Sequence, residues 1–346
     1  MSVRFVSTIG VCLLACSFAA HAAEKRLDRT FSVAPGGRLT IEADGADLRV
    51  TGTGGNQVVV HILLKGSERT LERMTLSAEQ SGNDVEVTSK HGNGKWTDWF
   101  GGWNVDGKVE VQVPRAFNFD IHTSGGDITV GQLTGTARGR TSGGDILVTE
   151  IKGPVEMTTS GGDVRVEQVD GETRLSTSGG DVDISRINGD LDAKTSGGYI
   201  HLTDVVGKVA ARTSSGDVIA RNIRGDSELK TSGGDIRATI DGKITAHTSG
   251  GNVSAELVGA NRGISVSSSG GDLTIRVPKS TTGELDASTS GGSVKTELPV
   301  TTTEMSEHKL TGTFNGGGNP IYARTSGGSI KVVATSGTTA SPNQPE

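Results

Sequence analysis

From about residue 123 onward, aliphatic residues recur in columns with a period of 18 residues. The first column begins at Ile128, the second at Val130 and the third at Leu133, and each continues through the following copies. Polar residues such as Thr129 and Arg165 stand between the first two columns. An apolar spacing of two residues is the periodicity of a strand with one buried face. The pattern therefore predicts a short β-strand in every 18-residue unit.

A glycine-rich motif keeps the same period. The string Thr-Ser-Gly-Gly-Asp, or a near copy, starts at Thr123, Thr141, Thr159, Thr177, Thr195, Thr213 and Thr231, then at Thr248, Ser268, Thr289 and Thr325. The last step is 36 residues, which is two periods and predicts one degenerate coil. A further glycine recurs at Gly135, Gly153, Gly171, Gly189, Gly207 and Gly225. Glycine pairs are typical of tight corners, and we expect positive φ at the Gly-Gly pair.

Stacked coils are the arrangement that lets such short units bury a core. Eighteen residues cannot enclose apolar side chains alone, but identical copies place each Ile or Val on its counterpart in the next coil. With backbone pairing between coils, about twelve coils from Thr123 onward would form a rod ~55–60 Å long. The Thr that opens each motif is expected to form a hydrogen-bonded column. The predicted fold is an all-β parallel β-solenoid with coils of about 18 residues.

The two ends of the chain lack the motif. Residues 24–122 are still strand-like, and Val109 to Val113 alternates cleanly before Pro114. Ser67 to Met74 fits one helical turn with Ser67 as the N-cap. Because the first coil of a solenoid exposes unpaired strand edges, we expect an atypical N-terminal β cap with the first irregular coils over 24–122. The repeat is assigned to 123–334, and the Ser/Thr/Pro-rich residues 335–346 are expected to be a disordered tail.

Residues 1–22 have the pattern of a signal peptide. Arg4 provides the positive start, Val11 to Ala20 the apolar segment, and Ala20-His21-Ala22 a cleavage site. The two cysteines, Cys12 and Cys16, both lie in this segment, so cleavage after Ala22 leaves no thiol. Leu13 to Cys16 also loosely matches a lipobox, and lipidation of Cys16 would anchor the protein to a membrane. Either way, the pattern predicts an extracytoplasmic location.

Composition excludes several classes of protein. The chain has 346 residues with 52 Gly, 3% aromatic residues and a net charge of −6, which predicts a thin aliphatic core and no attraction to nucleic acid. Metal-ligand spacing of His or Cys, a Gly-x-Ser-x-Gly elbow and a phosphate-binding loop are all missing from the sequence. We therefore expect no enzymatic activity and no cofactor.

Four aromatic residues form the first candidate site. Trp96, Trp99, Phe100 and Trp103 fall within eight residues of a glycine-rich segment. Rings on such a loop can stack on sugars or insert into a partner. The alternative is that they plug the open end of the solenoid, where an apolar lid is needed.

The aspartates of the motif form a second, weaker candidate site. Asp127, Asp145, Asp163 and Asp181 share one position of the repeat, so stacked coils would place neighbours about 5 Å apart. Carboxylate oxygens suit Ca²⁺, which makes this ladder a candidate cation site. The alternative is that each Asp accepts hydrogen bonds from the N–H groups of its own Gly-Gly corner. In that case, no metal is bound.

The repeated Thr-Ser-Gly-Gly-Asp-Ile/Val unit resembles the bacterial putative-adhesin family, a β-strand-repeat domain of unknown function. Val111-Gln112-Val113-Pro114 before the repeat and Phe314-Asn315-Gly316-Gly317-Gly318 near its end resemble that family too. The resemblance covers nearly the whole chain after the signal segment. It implies a location outside the cytoplasm and a role in adhesion or envelope structure, and it supplies no catalytic residues.

Three functional hypotheses follow. The first is an exported, non-enzymatic surface or envelope protein for adhesion or scaffolding, whose partner is a polysaccharide or another cell-surface protein. The second is a carbohydrate-active solenoid, either polysaccharide-binding or lyase-like, for which the irregular stretch Thr301 to Ala323 is the one place for a cleft. The third is a periplasmic signalling or assembly partner. Direct contact with a membrane is expected only if Cys16 is lipidated.

Overall fold

The computed structural model describes residues 23–92 and 105–335, which form 31 strands and one helix. The elements before the repeat are β1 (Ala23–Ser32), β2 (Arg38–Ala43), β3 (Ala46–Thr53), β4 (Gln57–Gly66), α1 (Glu68–Glu72), β5 (Met74–Ser81), β6 (Asp84–His91), β7 (Asp106–Pro114) and β8 (Asn118–Thr123). The regular coils contain β9 (Ile128–Thr134), β10 (Ala137–Arg140), β11 (Ile146–Lys152), β12 (Val155–Thr158), β13 (Val164–Asp170), β14 (Thr173–Ser176), β15 (Val182–Asn188), β16 (Leu191–Lys194), β17 (Ile200–Val206), β18 (Val209–Arg212), β19 (Val218–Arg224), β20 (Ser227–Lys230), β21 (Ile236–Asp241), β22 (Ile244–His247), β23 (Val253–Leu257), β24 (Ile264–Ser267) and β25 (Leu273–Val277). The C-terminal elements are β26 (Gly283–Thr289), β27 (Val294–Thr296), β28 (Thr301–Met305), β29 (Lys309–Phe314), β30 (Pro320–Thr325) and β31 (Ile330–Ala334).

Each regular coil contributes one strand to each of two sheets. The odd-numbered strands β9 to β25 belong to a 15-stranded sheet, the long sheet, and the even-numbered strands β10 to β24 to a 16-stranded sheet, the short sheet. Neighbouring coils pair in parallel and in register, so that Ile146 lies opposite both Ile128 and Val164. The predicted all-β parallel solenoid is confirmed.

The aliphatic columns form one continuous core between the two sheets. Ile128, Val130 and Leu133 are at most 2% exposed, and their counterparts in the following coils are buried too. Thr129 and Arg165 point away from this core, as the alternation predicted. Because burying one Val or Ile stabilises a fold by about 1.5–3 kcal/mol, the stacked columns are the main source of stability.

One residue in the left-handed backbone conformation bends each of six consecutive strands of the long sheet, β9 to β19. The residues are Gln132, Glu150, Gln168, Arg186, Asp204 and Asn222, with φ between 54° and 61°. Pairing between coils continues on both sides of this position, from Thr149 opposite Gly131 to Ile151 opposite Leu133. The extra residue explains why the second and third aliphatic columns are three positions apart rather than two.

Substitutions at Gln168 test the bend. We expect Gln168→Gly to keep or slightly raise the free energy of unfolding, because glycine adopts positive φ without steric cost. Gln168→Val should be less stable than the glycine variant by about 2 kcal/mol, because a β-branched side chain clashes in this conformation. Urea unfolding of the two variants measures the difference, and equal midpoints would contradict the assigned conformation.

The two kinds of glycine differ in backbone conformation, although both lie close to the preceding coil. Positive φ occurs at Gly135 and its equivalents rather than at the Gly-Gly pair, so the expectation for the pair was wrong. The second glycine of the pair is needed for close approach: a Cβ on Gly144 would lie 2.1 Å from the carbonyl oxygen of Gly126 in the preceding coil. A Cβ on Gly143 would lie 3.7 Å from its nearest neighbour, which explains why Ser215 can take the equivalent position.

At the N-terminal end, spatial order differs from chain order. The coil formed by β2 and β3 lies between the coil of β8 and β9 and an outer coil formed by β6 and β7. Antiparallel strands extend both sheets beyond this outer coil, with β4 on β7, β1 on β4 and β5 on β6. Ser67 caps helix α1 as predicted, because its side chain accepts a hydrogen bond from the Thr70 amide. In the described part of the chain, no helix is long and apolar enough to cross a membrane.

The C-terminal end shows the same reversal. The coil of β30 and β31 lies between the coil of β24 and β25 and the coil of β26 and β27, although it comes last in the chain. The period predicted a degenerate coil in the 36-residue step, and this prediction was wrong. The residues of this step form the antiparallel pair β28–β29, which adds to the edge of the short sheet at β26. In the described residues, eleven strands of the long sheet follow Thr123, where about twelve coils were expected.

Candidate functional site

The predicted aspartate ladder exists, but its hydrogen bonds differ from the expected ones. The Asp145 amide donates to Oδ1 of Asp127 at 2.8 Å, and the Asp163 amide donates to Oδ1 of Asp145 at 2.8 Å. The Asp181 amide donates to Oδ1 of Asp163 at 2.7 Å. Each carboxylate thus accepts from the next coil rather than from its own Gly-Gly corner. The reason is the register, which places the next amide directly above each carboxylate.

A cation on this ladder stays a prediction. One oxygen of Asp127, Asp145 and Asp163 is occupied by a backbone amide. Over residues 23–92 and 105–335, no group of three or more His, Cys, Asp or Glu side chains is placed to hold a metal ion. In the structure, the aspartates connect neighbouring coils by hydrogen bonds to backbone amides.

The opening threonine of each motif forms a second, buried column beside the aspartates. The Thr141 hydroxyl donates to the Gly126 carbonyl at 2.9 Å and accepts from the Gly144 amide at 3.3 Å. The same pair of bonds recurs at Thr159 and Thr177, and Ser268 makes it in a later coil. These hydroxyls satisfy backbone groups that would otherwise be buried without partners. The Gly-Gly edge of the solenoid is therefore built mainly for stability.

The aromatic candidate site cannot be placed by the structure. Trp96, Trp99, Phe100 and Trp103 lie outside the described residues, between the end of β6 at His91 and the start of β7 at Asp106. The proposed contact of these rings with a sugar or a partner, and the alternative of a plug, both stay predictions.

The left-handed bends form a groove along the long sheet that sequence analysis missed. It is open to solvent, has a volume of about 460 Å³ and crosses several coils. Its lining includes Gln132, Glu150, Lys152, Gln168, Asp170, Arg186 and Asn188, with Arg115 at one end. The signal for it was the three-residue spacing between the second and third aliphatic columns, which requires an extra residue in each of these six coils.

Side-chain hydrogen bonds connect neighbouring coils in and beside this groove. The Asn188 side-chain amide donates to Asp170 Oδ1 at 2.9 Å, and Arg186 donates to Glu167 Oε2 at 3.1 Å. Further along the same column, Asn222 donates to Asp204 Oδ1 at 3.0 Å. The side chains are planar amides, carboxylates and a guanidinium, which present paired hydrogen-bonding atoms. Such a surface suits a polar, extended ligand that makes many weak contacts.

The outer face of the short sheet is charged and contains a bridging glutamate. Glu228 accepts hydrogen bonds from Lys230 and from Arg212, the latter at 2.8 Å. The hydrogen bond from Lys230 is the main cause that lowers the pKa of Glu228 from its usual value, and the positive charge of Arg212 adds to it. A lowered pKa means that this carboxylate stabilises the fold above its unfolded-state pKa and loses that contribution as the pH falls through its folded-state pKa. Because the pair is exposed, the effect is small.

The irregular stretch Thr301 to Ala323 forms an antiparallel hairpin rather than a regular coil. Its main feature is the hairpin β28–β29, and every residue of β28 is exposed. A smaller hollow of about 340 Å³ lies at this end, with Val294, Val300 and Met305 in its lining. Met305 is 76% exposed. A lyase-like activity at this stretch stays a prediction.

Comparisons with known proteins give a family. No curated protein matches the sequence. A crystal structure of a putative cell adhesion protein from Clostridium sporogenes matches at 12% identity and a TM-score of 0.19, over 90% of this chain and 100% of the other. A putative adhesin from Bacteroides fragilis matches at 12% identity and a TM-score of 0.27, over 90% and 97%. A putative lipid binding protein from Parabacteroides distasonis matches at 14% identity and a TM-score of 0.34, over 73% and 96%.

Because the TM-scores and sequence identities of these matches are low, they transfer no function to this chain. The family model is more informative, because the Toastrack DUF4097 model matches residues 37–256 and again 198–333, which together span most of the chain. The matched ranges include the coils of the Thr-Ser-Gly-Gly-Asp motif and the outer coil of β6 and β7. The resemblance drawn from that motif is confirmed, and the chain belongs to the Toastrack DUF4097 family.

Proposed function

We propose that this protein is a non-enzymatic surface or envelope protein that holds an extended partner along the groove of the long sheet. The observation that carries the proposal is the column of six left-handed residues, all with polar side chains, at Gln132, Glu150, Gln168, Arg186, Asp204 and Asn222. Successive coils are ~4.8 Å apart, so the column offers a new contact at each step of a polymer.

The backbone conformation of this column supports a binding role. A non-glycine residue with positive φ costs about 1–2 kcal/mol, and glycine avoids that cost. The chain contains 52 glycines, yet none of the six positions is glycine. Side chains that persist at a strained backbone position are commonly kept for function. Here the function we infer is contact with a ligand.

The partner we propose is a polysaccharide or another cell-surface protein outside the cytoplasm. The signal-like pattern of residues 1–22 supports this location, and lipidation of Cys16 would be the route to an anchored form. Adhesion and scaffolding both require a long, repetitive and rigid surface. The in-register coils of the described residues provide such a surface.

The groove is tested by removing its side chains without straining the backbone. The variant carries Gln132→Gly, Glu150→Gly, Gln168→Gly and Arg186→Gly, which keeps or improves the fit of each residue to positive φ. We expect pull-down of neutral polysaccharides and peptidoglycan by the chain from residue 23 onward to fall at least tenfold, while the melting temperature stays unchanged or rises. The matched control is Arg138→Ala with Arg174→Ala on the short sheet. Equal capture by the groove variant and the wild type would refute the proposal.

A further inference from the structure

The aspartate ladder is interrupted at one coil. In the motif that begins at Thr195, Tyr199 takes the position of the aspartate. The Tyr199 amide still donates to Asp181 Oδ1 at 2.8 Å. The tyrosine side chain carries no carboxylate for the amide of the following coil, and the ladder resumes only where the Asp235 amide donates to Asp217 Oδ1 at 2.8 Å. The substitution therefore gives up a connection between coils.

An exposed pair of rings stands in place of the lost connection. Tyr199 is 50% exposed, and its ring stacks on that of His201 with centroids 6.3 Å apart and an interplanar angle of 26°. Both side chains lie on the outer face of the long sheet. Tyr322, also among the exposed large side chains of the described residues, is 45% exposed and lies on the short sheet. The exposed ring pair offers an apolar face to a ligand at the coil where the ladder is interrupted.

Polar groups surround the ring pair on both sides along the axis. Asp183 Oδ1 lies 3.2 Å from His201 Nδ1, and Asp183 Oδ2 lies 3.5 Å from an Arg165 guanidinium nitrogen. On the other side, Arg237 bonds Asp217 at 3.2 Å and Asp235 at 2.8 Å. With Asp181 included, four carboxylates face two guanidinium groups, so the surroundings are mildly acidic and disfavour an anionic ligand.

We propose that Tyr199 and His201 form a platform that binds one ring of an uncharged glycan. The apolar C–H face of a pyranose stacks on the aromatic rings, and its hydroxyl groups exchange hydrogen bonds with Asp183 and Arg165 at the rim. The platform is flat and open along the axis, so it accepts an internal sugar of a long chain. This inference deepens the proposed function by naming the partner as a neutral polysaccharide. It rests on the polysaccharide partner of that proposal and not on the position of the groove.

The test uses a substitution that the repeat itself suggests. Tyr199→Asp restores the residue of the neighbouring coils, so the variant should fold and its melting temperature should equal or exceed that of the wild type. The probes are hexasaccharides of β-1,4-linked glucose and of β-1,4-linked N-acetylglucosamine, with hexagalacturonate as the anionic comparison. We expect calorimetry to show binding of at least one neutral hexasaccharide to the wild type and at least tenfold weaker binding to Tyr199→Asp.

Two control variants complete the experiment. Tyr199→Phe keeps the ring and should keep most of the affinity, and Tyr322→Asp removes an exposed tyrosine elsewhere and should bind as the wild type does. The inference is overturned if the wild type binds neither neutral hexasaccharide, if Tyr199→Asp binds equally well, or if hexagalacturonate binds more tightly. Loss of polymer capture in the groove variant but not in Tyr199→Asp would refute the platform and support the groove. The opposite result would support the platform and refute the groove.

Discussion

Replacing Gly144 by alanine should destabilise the solenoid by about 3 kcal/mol, because the new methyl group overlaps backbone atoms that cannot move away separately. The Cβ would lie 2.1 Å from the Gly126 carbonyl oxygen and 2.4 Å from its carbon. To make room, two coils must separate, which lengthens the hydrogen bonds and opens the packed aliphatic columns on both sides. The effect is therefore larger than that of an ordinary surface Gly→Ala change.

The neighbouring glycine provides the control. Gly143→Ser introduces the residue that the chain already uses at Ser215, and a Cβ on Gly143 has its nearest neighbour at 3.7 Å. We expect this variant to change the free energy of unfolding by less than about 0.5 kcal/mol. Urea and thermal unfolding of both variants, followed by circular dichroism, measure the contrast. Similar unfolding midpoints for the two variants would contradict the close packing of the corner.

Thr177→Val should cost about 3 kcal/mol although it preserves the shape of the side chain, because it leaves buried polar groups without partners. The Thr177 hydroxyl, in a residue that is 4% exposed, donates to the Gly162 carbonyl at 2.9 Å and accepts from the Gly180 amide at 3.3 Å. The substitution removes both bonds in one step. The Gly162 carbonyl is buried and the Gly180 amide is partly buried, so both lose a partner that water replaces poorly.

Serine is the matched replacement at this position. Thr177→Ser keeps the hydroxyl, and Ser268 makes the same two bonds in its own coil. We expect Thr177→Ser to lose only the contribution of one methyl group, about 1 kcal/mol. Hydrogen exchange of the Gly180 amide should be faster in the valine variant than in the serine variant. Unchanged protection in the valine variant would show that the hydroxyl is not needed there.

The regular coils were predictable from the sequence because one repeat is enough to define them. Parallel, in-register stacking places equivalent positions of neighbouring coils against each other. The column that begins at Ile128 therefore predicts which side chains are in contact. The roles of the glycines were harder to assign. The sequence shows that Gly144 and Gly153 recur, but only the structure shows that both avoid a collision with the preceding coil and that Gly153 also adopts positive φ.

The ends and the groove were not predictable in the same way. A period indicates which residues are equivalent, but it does not say which coils are neighbours, so the 36-residue step before Thr325 was interpreted as containing a degenerate coil. Gln132, Glu150 and Arg186 carry no conformational signature of a left-handed residue, because longer side chains rarely adopt it. The count of three between Val130 and Leu133 was the available signal. The column of aspartates was predicted, but the amides that donate to it belong to the next coil rather than to the same corner. The tryptophans lie outside the described residues.

The reversed order of coils at both ends restricts how this architecture can change in length. The coil of β30 and β31 is held between two others, and the coil of β2 and β3 is held in the same way. A deletion that begins at residue 320 would therefore remove an interior layer and leave the outermost one without support. A module joined after β31 could not stack on the coil of β30 and β31, because that coil already has a neighbour on each side. Longer or shorter relatives should differ by whole 18-residue units inserted or lost among the middle coils, where each junction is the same as the next.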